Sequence, residues 1–345
     1  MPAITSGRVL VTGANGFLAL YVIRALLEQG FSVRFTVRSE GKAAFVREFF
    51  AAHADRLEGV IVEDMAVPGA YDAAVPDVDG IVHLASPVDI TNPGPPELVT
   101  RPAIGGVENL LASVQAHGDK LKRWVQISSV AALGADLSPS AHYTEANWND
   151  ASLAVVAELG AKAEPIHKYN ASKVLAERAF WGWIEEKKVA WDGVAVLPSL
   201  IMAPDLQYAH SGTPTVGLSF GLIPLLRKGI TAAELDDIMP WHTVDARDVA
   251  HAVVTALSTP EAGGERFIAS SGVLAVNDVA LAAAQLLPNV AQGNADPALR
   301  GSFASRSYVM DGSKAERVLG FKYRPVHDTL VDTITSVPAE IFAAA

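Results

Sequence analysis

The stretch "RVLVTGANGFLALYVIRALLEQG", Arg8–Gly30, decides the fold. Its opening run, Arg8–Thr12, is short and apolar and reads as a buried strand. From Phe17 onward apolar residues recur at helical spacing, and Gly30 stands where a helix C-cap belongs. The turn between them holds Gly13 and Gly16, with Ala19 at the third small position. Gly13 permits a tight turn, and Gly16 lets backbone approach a pyrophosphate. Ala19 is small enough for close helix–strand packing. The helix start adds free N–H groups and the positive end of its dipole. Strand, glycine turn and helix in this order predict a dinucleotide site. Gly13, Asn15, Gly16, Phe17 and Leu18 are its expected cofactor-binding residues.

Working outward, the same alternation continues. "SVRFTVR" (Ser32–Arg38), "LEGVIVED" (Leu57–Asp64), "GIVHLAS" (Gly80–Ser86), "RWVQISS" (Arg123–Ser129), "GVAVLPS" (Gly193–Ser199) and "GERFIAS" (Gly264–Ser270) are further strand candidates. Helical patterns separate most of them, for instance Glu108–Gly118. Such alternation predicts an α/β fold, a Rossmann-type doubly wound parallel sheet with right-handed crossovers. After Ser199 the pattern loosens. Residues 1–202 and 241–271 are expected to form the dinucleotide-binding domain. Residues 203–240 and 272–345 are expected to form a smaller, mostly helical substrate-binding lobe.

The end of the second strand selects the cofactor. An acidic residue there would take the ribose hydroxyls of NAD, whereas this chain carries Arg38, with Lys42 close by. A guanidinium matches a 2′-phosphate in bidentate fashion and an ammonium adds a point charge, which points to NADP(H). Glu40 lies between them and is the competing ribose ligand.

The bulk numbers exclude other classes. A net charge of −11 without a basic cluster argues against nucleic acid. The absence of cysteine removes disulfides, thiol catalysis and thiolate zinc sites, and fits a reducing compartment. The nine histidines show no metal-ligand spacing, so no metal is expected. No run approaches the ~20 apolar residues of a membrane span, and no signal peptide is read at the start. The expectation is a soluble cytoplasmic protein, monomer or homodimer, acting on a small molecule.

"HKYNASKVLAERAF", His167–Phe180, contains an apparent glycosylation sequon at Asn170, which a cytosolic chain would not use. It also contains Tyr169 and Lys173, four apart and so on one helix face. With "TGANGFLA", "ISS" and "YNASK" in this order, the chain resembles the extended short-chain dehydrogenase/reductase family. Within it the chain is similar to the dihydroflavonol-4-reductase-like branch, and most of all to fungal and yeast NADPH-dependent aldehyde and carbonyl reductases. "VRFTVRSEGK", "HLASP", "PAIGGVENLL", "YTEANWND" and "DGSKAERVLGFKYRP" carry the branch-level likeness. The resemblance implies catalytic roles for Ser129, Tyr169 and Lys173. It implies that Asp64 and Met65 flank the adenine, that Ala85, Ser86 and Pro87 line the ribose, and that Pro198, Ser199, Leu200 and Ile201 lie beside the nicotinamide. One departure stands out. Many members place an Asn before the fifth strand in a proton relay, but "RPAIGGVENLL" opens without one, and Asn109 lies too far along.

The chemistry fits these residue types. A free tyrosine holds its proton to about pH 10. A neighbouring Lys⁺ favours the phenolate and so makes Tyr169 a usable proton donor. Ser129 would polarise the carbonyl as hydride arrives from the cofactor. Val88, Phe220, Met239 and Trp241 are the expected pocket residues for a small uncharged carbonyl substrate. His242 borders that pocket or packs in the core, and Asp245 and Asp248 read as a helix-start charge pattern. Two other functions compete. A nucleotide-sugar epimerase would hold NAD and prefer an acid where Arg38 stands. A non-catalytic NADP(H) sensor would tend to lose Tyr169.

Overall fold

The computed structural model describes residues 3–208, 241–287 and 307–340, together with the isolated positions 290, 293 and 295. Its centre is a seven-stranded sheet in which every neighbouring pair is parallel. The strands are β1 (Arg8–Thr12), β2 (Ser32–Val37), β3 (Leu57–Ile61), β4 (Gly80–His83), β5 (Arg123–Ile127), β7 (Asp192–Pro198) and β10 (Arg266–Ala269). They are the seven runs read from the sequence. The order across the sheet is β10-β7-β5-β4-β1-β2-β3. The chain starts in the middle, winds out to β3, then returns to lay β4 on the other side of β1. Where winding reverses, between β1 and β4, no crossover covers the carboxyl ends, and a crevice opens there.

Each strand feeds two cores because successive side chains point to opposite faces. Val9 and Val11 pack towards α1 (Phe17–Glu28) and α6 (Ala246–Ser258). Leu10, Ile81 and Trp124 pack towards α3 (Glu97–His117) and α5 (Pro165–Lys187). Helix α2 (Glu40–Phe49) follows β2, and α4 (Asp150–Leu159) precedes α5. α1 ends as its sequence foretells. Gly30 has φ +88°, its N–H reaches Leu27 O at 3.1 Å, and the Phe31 N–H reaches Leu26 O at 3.0 Å, the two bonds of a Schellman turn. Helix α3 is longer than Glu108–Gly118, the stretch the sequence reading gives as an instance. It starts at Glu97 and runs through Pro102. The proline removes one N–H in the early part of the helix, and packing of Val99, Ala103 and Val107 carries the helix across it.

The amino end of the sheet is tied by Arg123, which is fully buried. Its guanidinium takes Asp192 in two 2.7 Å bonds and donates to Ala256 O at 2.8 Å and to Thr259 O. At the carboxyl end two small sheets extend the walls. One joins β8 (Leu200–Met202), β9 (Trp241–Asp245) and β11 (Gly272–Leu274). The other pairs β6 (His142–Tyr143) with β12 (Val309–Met310) in parallel. Among the described residues, further α-helices are α7 (Val276–Leu286), α8 (Ser313–Leu319) and α9 (Val326–Thr335). Asp245 caps α6 by accepting the Arg247 N–H at 2.8 Å, as the helix-start reading expects.

Candidate active site

A cleft of about 1000 Å³ lies at the carboxyl ends of the strands. Its floor is the turn after β1. Gly13 has φ +68°, and a Cβ there would stand 3.1 Å from Ala85 Cα, so both backbone angle and neighbour demand glycine. Gly16 caps α1 in an extended conformation, with no side-chain cap and no acid in the first turn. The helix therefore presents uncompensated N–H groups to the cleft, the arrangement a pyrophosphate fits. Asn15, Phe17 and Leu18 complete this part of the lining.

At the β2 end, Arg38 and Lys42 are exposed and line the cleft, beside Val37, Val62 and Tyr71. Glu40, the competing ribose ligand, is paired with Arg47 at 2.5 Å. Met65 lines the cleft and packs on Gly106 of α3, where a Cβ would come within 3.0 Å of its sulfur. Asn109 donates to Met65 O at 3.0 Å and so props this corner. Asp64 is exposed, lies outside the lining, and accepts the Ala66 N–H at 2.8 Å.

The third group comes from β5 and α5. Ser129 follows β5, and its Oγ accepts the Ala131 N–H at 3.1 Å, leaving its own proton to give. Tyr169 and Lys173 sit one turn apart on α5 and line the same cleft. The Lys173 Nζ lies 5.3 Å from the Tyr169 ring centre and donates to Ser86 Oγ at 2.8 Å. Ala85, Ser86, Val88 and Pro198–Ile201 complete the wall, while Pro87 only joins Ser86 to Val88.

Helix α5 is held by a buried ionic network. Glu177, 1% exposed, accepts from Arg266 Nε at 2.7 Å, Ser128 Oγ at 2.6 Å and Trp181 Nε1 at 3.1 Å. Arg266 also stacks 3.9 Å over the Trp148 ring. Ser128 adjoins Ser129, so the same carboxylate ties the Ser129 strand end to the Tyr169 helix. Beneath Ala85, Thr12 Oγ1 accepts the Leu84 and Ala85 N–H groups, both at 3.1 Å, and meets His83 Nδ1 at 2.8 Å. Thr12 thus donates to Nδ1, which assigns the imidazole proton to Nε2, an atom with no partner among the described residues. Burial first, and the Lys173 charge second, push the His83 pKa down to about 3.

Sequence reading missed several lining residues. Tyr308 and Met310 reach the cleft because β12 pairs with β6. Gln207 lines it too and donates to Asn15 O. Leu137 and Ile166 add exposed apolar surface at its edge. Of the expected pocket residues, Trp241 pairs with Leu274 between β9 and β11 and does not line the cleft. Phe220 and Met239 lie outside the described residues. His242 is buried, meeting Ser270 Oγ at 3.1 Å and Tyr308 O at 2.8 Å, and burial lowers its pKa. Among the described residues there is no metal-ligand cluster and no helix long and apolar enough to cross a membrane.

Residues 9–269 match the model of the NAD dependent epimerase/dehydratase family. The ketoreductase azaE of Aspergillus niger is 31% identical over 344 residues, covering 96% of this chain and 97% of its own. Aldehyde reductase 2 of Sporidiobolus salmonicolor is 34% identical over 291 residues, covering 81% of each chain. Among solved structures, yeast methylglyoxal/isovaleraldehyde reductase Gre2 complexed with NADPH matches with a TM-score of 0.82 at 27% identity, over 95% of this chain and 97% of that one. With its seven parallel strands, its glycine turn and its Ser129, Tyr169 and Lys173 in one cleft, the chain belongs to the NAD dependent epimerase/dehydratase family, the extended short-chain dehydrogenases/reductases.

Proposed function

We propose that this protein is an NADPH-dependent reductase of small uncharged ketones and aldehydes. One observation carries the reading: Ser129, Tyr169 and Lys173 line the same cleft as the Gly13–Leu18 turn and the Arg38/Lys42 edge. The relatives named as a ketoreductase, an aldehyde reductase and an NADPH-bound reductase support it. In this reading the first turn of α1 holds the pyrophosphate, Arg38 and Lys42 hold the 2′-phosphate, and Met65 lies at the adenine. When bound, NADPH supplies the hydride for the carbonyl carbon.

The chain's own residues handle the oxygen. Ser129 donates its free hydroxyl proton to the carbonyl oxygen in a hydrogen bond. Tyr169 gives its phenolic proton to that oxygen as negative charge develops there. The product is the alcohol, and Tyr169 is left as phenolate beside the Lys173 ammonium, which offsets the charge. Ser86 fixes that ammonium by accepting a hydrogen bond from it. Residues 203–240 and 272–345 act as the substrate lobe in this reading, and Tyr308 and Met310 supply part of its wall.

The test is loss of NADPH absorbance with a panel of carbonyl compounds. A β-keto ester should be reduced with a higher kcat/KM than its free keto acid. A buried unpaired carboxylate costs several kcal/mol, and the described apolar wall offers it Val88, Leu137, Ile166, Leu200 and Met310. Preference for the acid would refute the uncharged-substrate assignment. Co-purified NAD with no reductase activity would instead favour an epimerase.

A further inference from the structure

Lys168, the residue before Tyr169, is 1% exposed. A buried ammonium ordinarily needs a carboxylate. Lys168 instead donates to three main-chain carbonyls: Gly94 O at 2.7 Å, Ala161 O at 2.8 Å and Asn92 O at 3.3 Å. All three ammonium protons are thereby used. Two of these oxygens belong to the segment between β4 and α3. That segment is gripped a second time at Ser86, by Lys173 at 2.8 Å. Two lysines flanking Tyr169 on one helix therefore hold one segment at two points.

Between the grips the segment has little else to hold it. Among the described residues no backbone hydrogen bond joins residues 87–91 to another segment. Asp89 and Thr91 bond only to each other there, through 2.9 Å and 3.0 Å contacts. Val88 is 60% exposed and yet lines the cleft. Beyond it Asn92 shapes the turn that aims the carbonyls at Lys168. Its Oδ1 accepts the Gly94 N–H at 2.8 Å and its Nδ2 donates to Pro95 O at 3.1 Å.

We infer that Lys168 is a positioning residue whose carbonyl cage fixes the strap of residues 87–91 at the cleft wall, where Val88 selects carbonyl substrates by size. The inference rests on the reductase reading. A strap held in place presents a preformed apolar contact to a bulky substituent, and a slack strap must be ordered afresh at each binding event. A compact aldehyde does not reach the strap and gains nothing from it.

The experiment compares wild type with Lys168→Met, Asn92→Ala and Val88→Ala. KM and kcat are measured separately for a bulky aryl β-keto ester and for a compact aldehyde, and NADPH affinity by fluorescence titration. Lys168→Met should raise KM for the aryl ester about tenfold or more while kcat stays within about twofold, the signature of lost ground-state binding. KM for the compact aldehyde and the affinity for NADPH should change by less than about threefold. Asn92→Ala, which strands no buried charge, should show the same split in smaller measure and carries the test if Lys168→Met does not fold; Val88→Ala should raise KM for the aryl ester. Unchanged KM values, or equal losses on both substrates, overturn the inference. If wild type reduces no carbonyl, the reductase reading alone fails, and limited proteolysis decides the strap. Cleavage within residues 87–93 should then appear in Lys168→Met and be absent from wild type; equal cleavage overturns the clamp.

Discussion

In the proposed reaction a single hydroxyl at Tyr169 separates a proton donor from a passive ring. Tyr169→Phe keeps the aromatic ring in place on α5, so NADPH should still bind. Turnover should fall by roughly 10²–10⁴, the range for a lost general acid. Near-normal turnover in a stopped assay would refute the proton-donor role. At Arg38 the lever is charge. A charge-assisted contact to phosphate contributes about 1.5–3 kcal/mol, so Arg38→Asp should weaken NADPH use at least tenfold, at ~1.4 kcal/mol per decade. NADH use should suffer much less, and a parallel loss on both cofactors would show that Arg38 does not read the phosphate. The places of both residues at the cleft are legible in the sequence because local order gives them: a strand end for Arg38, an i,i+4 pair for Tyr169 and Lys173. Lys168 is not legible there. Nothing in "HKYNASK" says that its first lysine faces three main-chain carbonyls, two of them from the segment between β4 and α3.

Helix α5 concentrates what matters at the level of elements. It carries Lys168, Tyr169, Lys173 and Glu177, and Lys168, Lys173 and Glu177 are each oriented by a different partner group. Glu177→Ala leaves Arg266 and Ser128 facing a gap. Breaking a buried ion pair on one side costs about 3–5 kcal/mol, so the urea midpoint should drop markedly, and an unshifted midpoint would contradict the burial argument. Glu177→Gln should lose less, because an amide oxygen still accepts one donor. Strands β1, β4 and β7 are readable because parallel strands buried on both faces are near-continuous apolar runs. The start of α3 is not, since Pro102 is a helix breaker by propensity and only packing overrides it. β6 and β12, each of two residues, carry no period at all, so the arrival of Tyr308 and Met310 at the cleft comes only from tertiary pairing.

For the molecule as a whole, acid should be the weak point. His83 is neutral in the fold, with a pKa pushed down to about 3, whereas an unfolded histidine titrates near 6.5. The depressed value means full stability above about pH 6.5, lost progressively as pH falls towards about 3, because the unfolded chain gains the proton first. The loss amounts to roughly a few kcal/mol at the acid end. Thermal midpoints measured between pH 7 and 4 should fall, and in His83→Gln they should fall less steeply; identical slopes would remove His83 from the account. The other end of the sheet has a different consequence. Arg123 ties β5, β7 and the end of α6 together with bonds that never meet the cleft. Sites that far apart change stability and activity independently. A lineage, or a protein engineer, can therefore rewrite the walls around Val88, Leu137 and Met310 for new substrates while the Arg123 anchor absorbs the mutational load, so that robustness and novelty are inherited from opposite ends of the same strands.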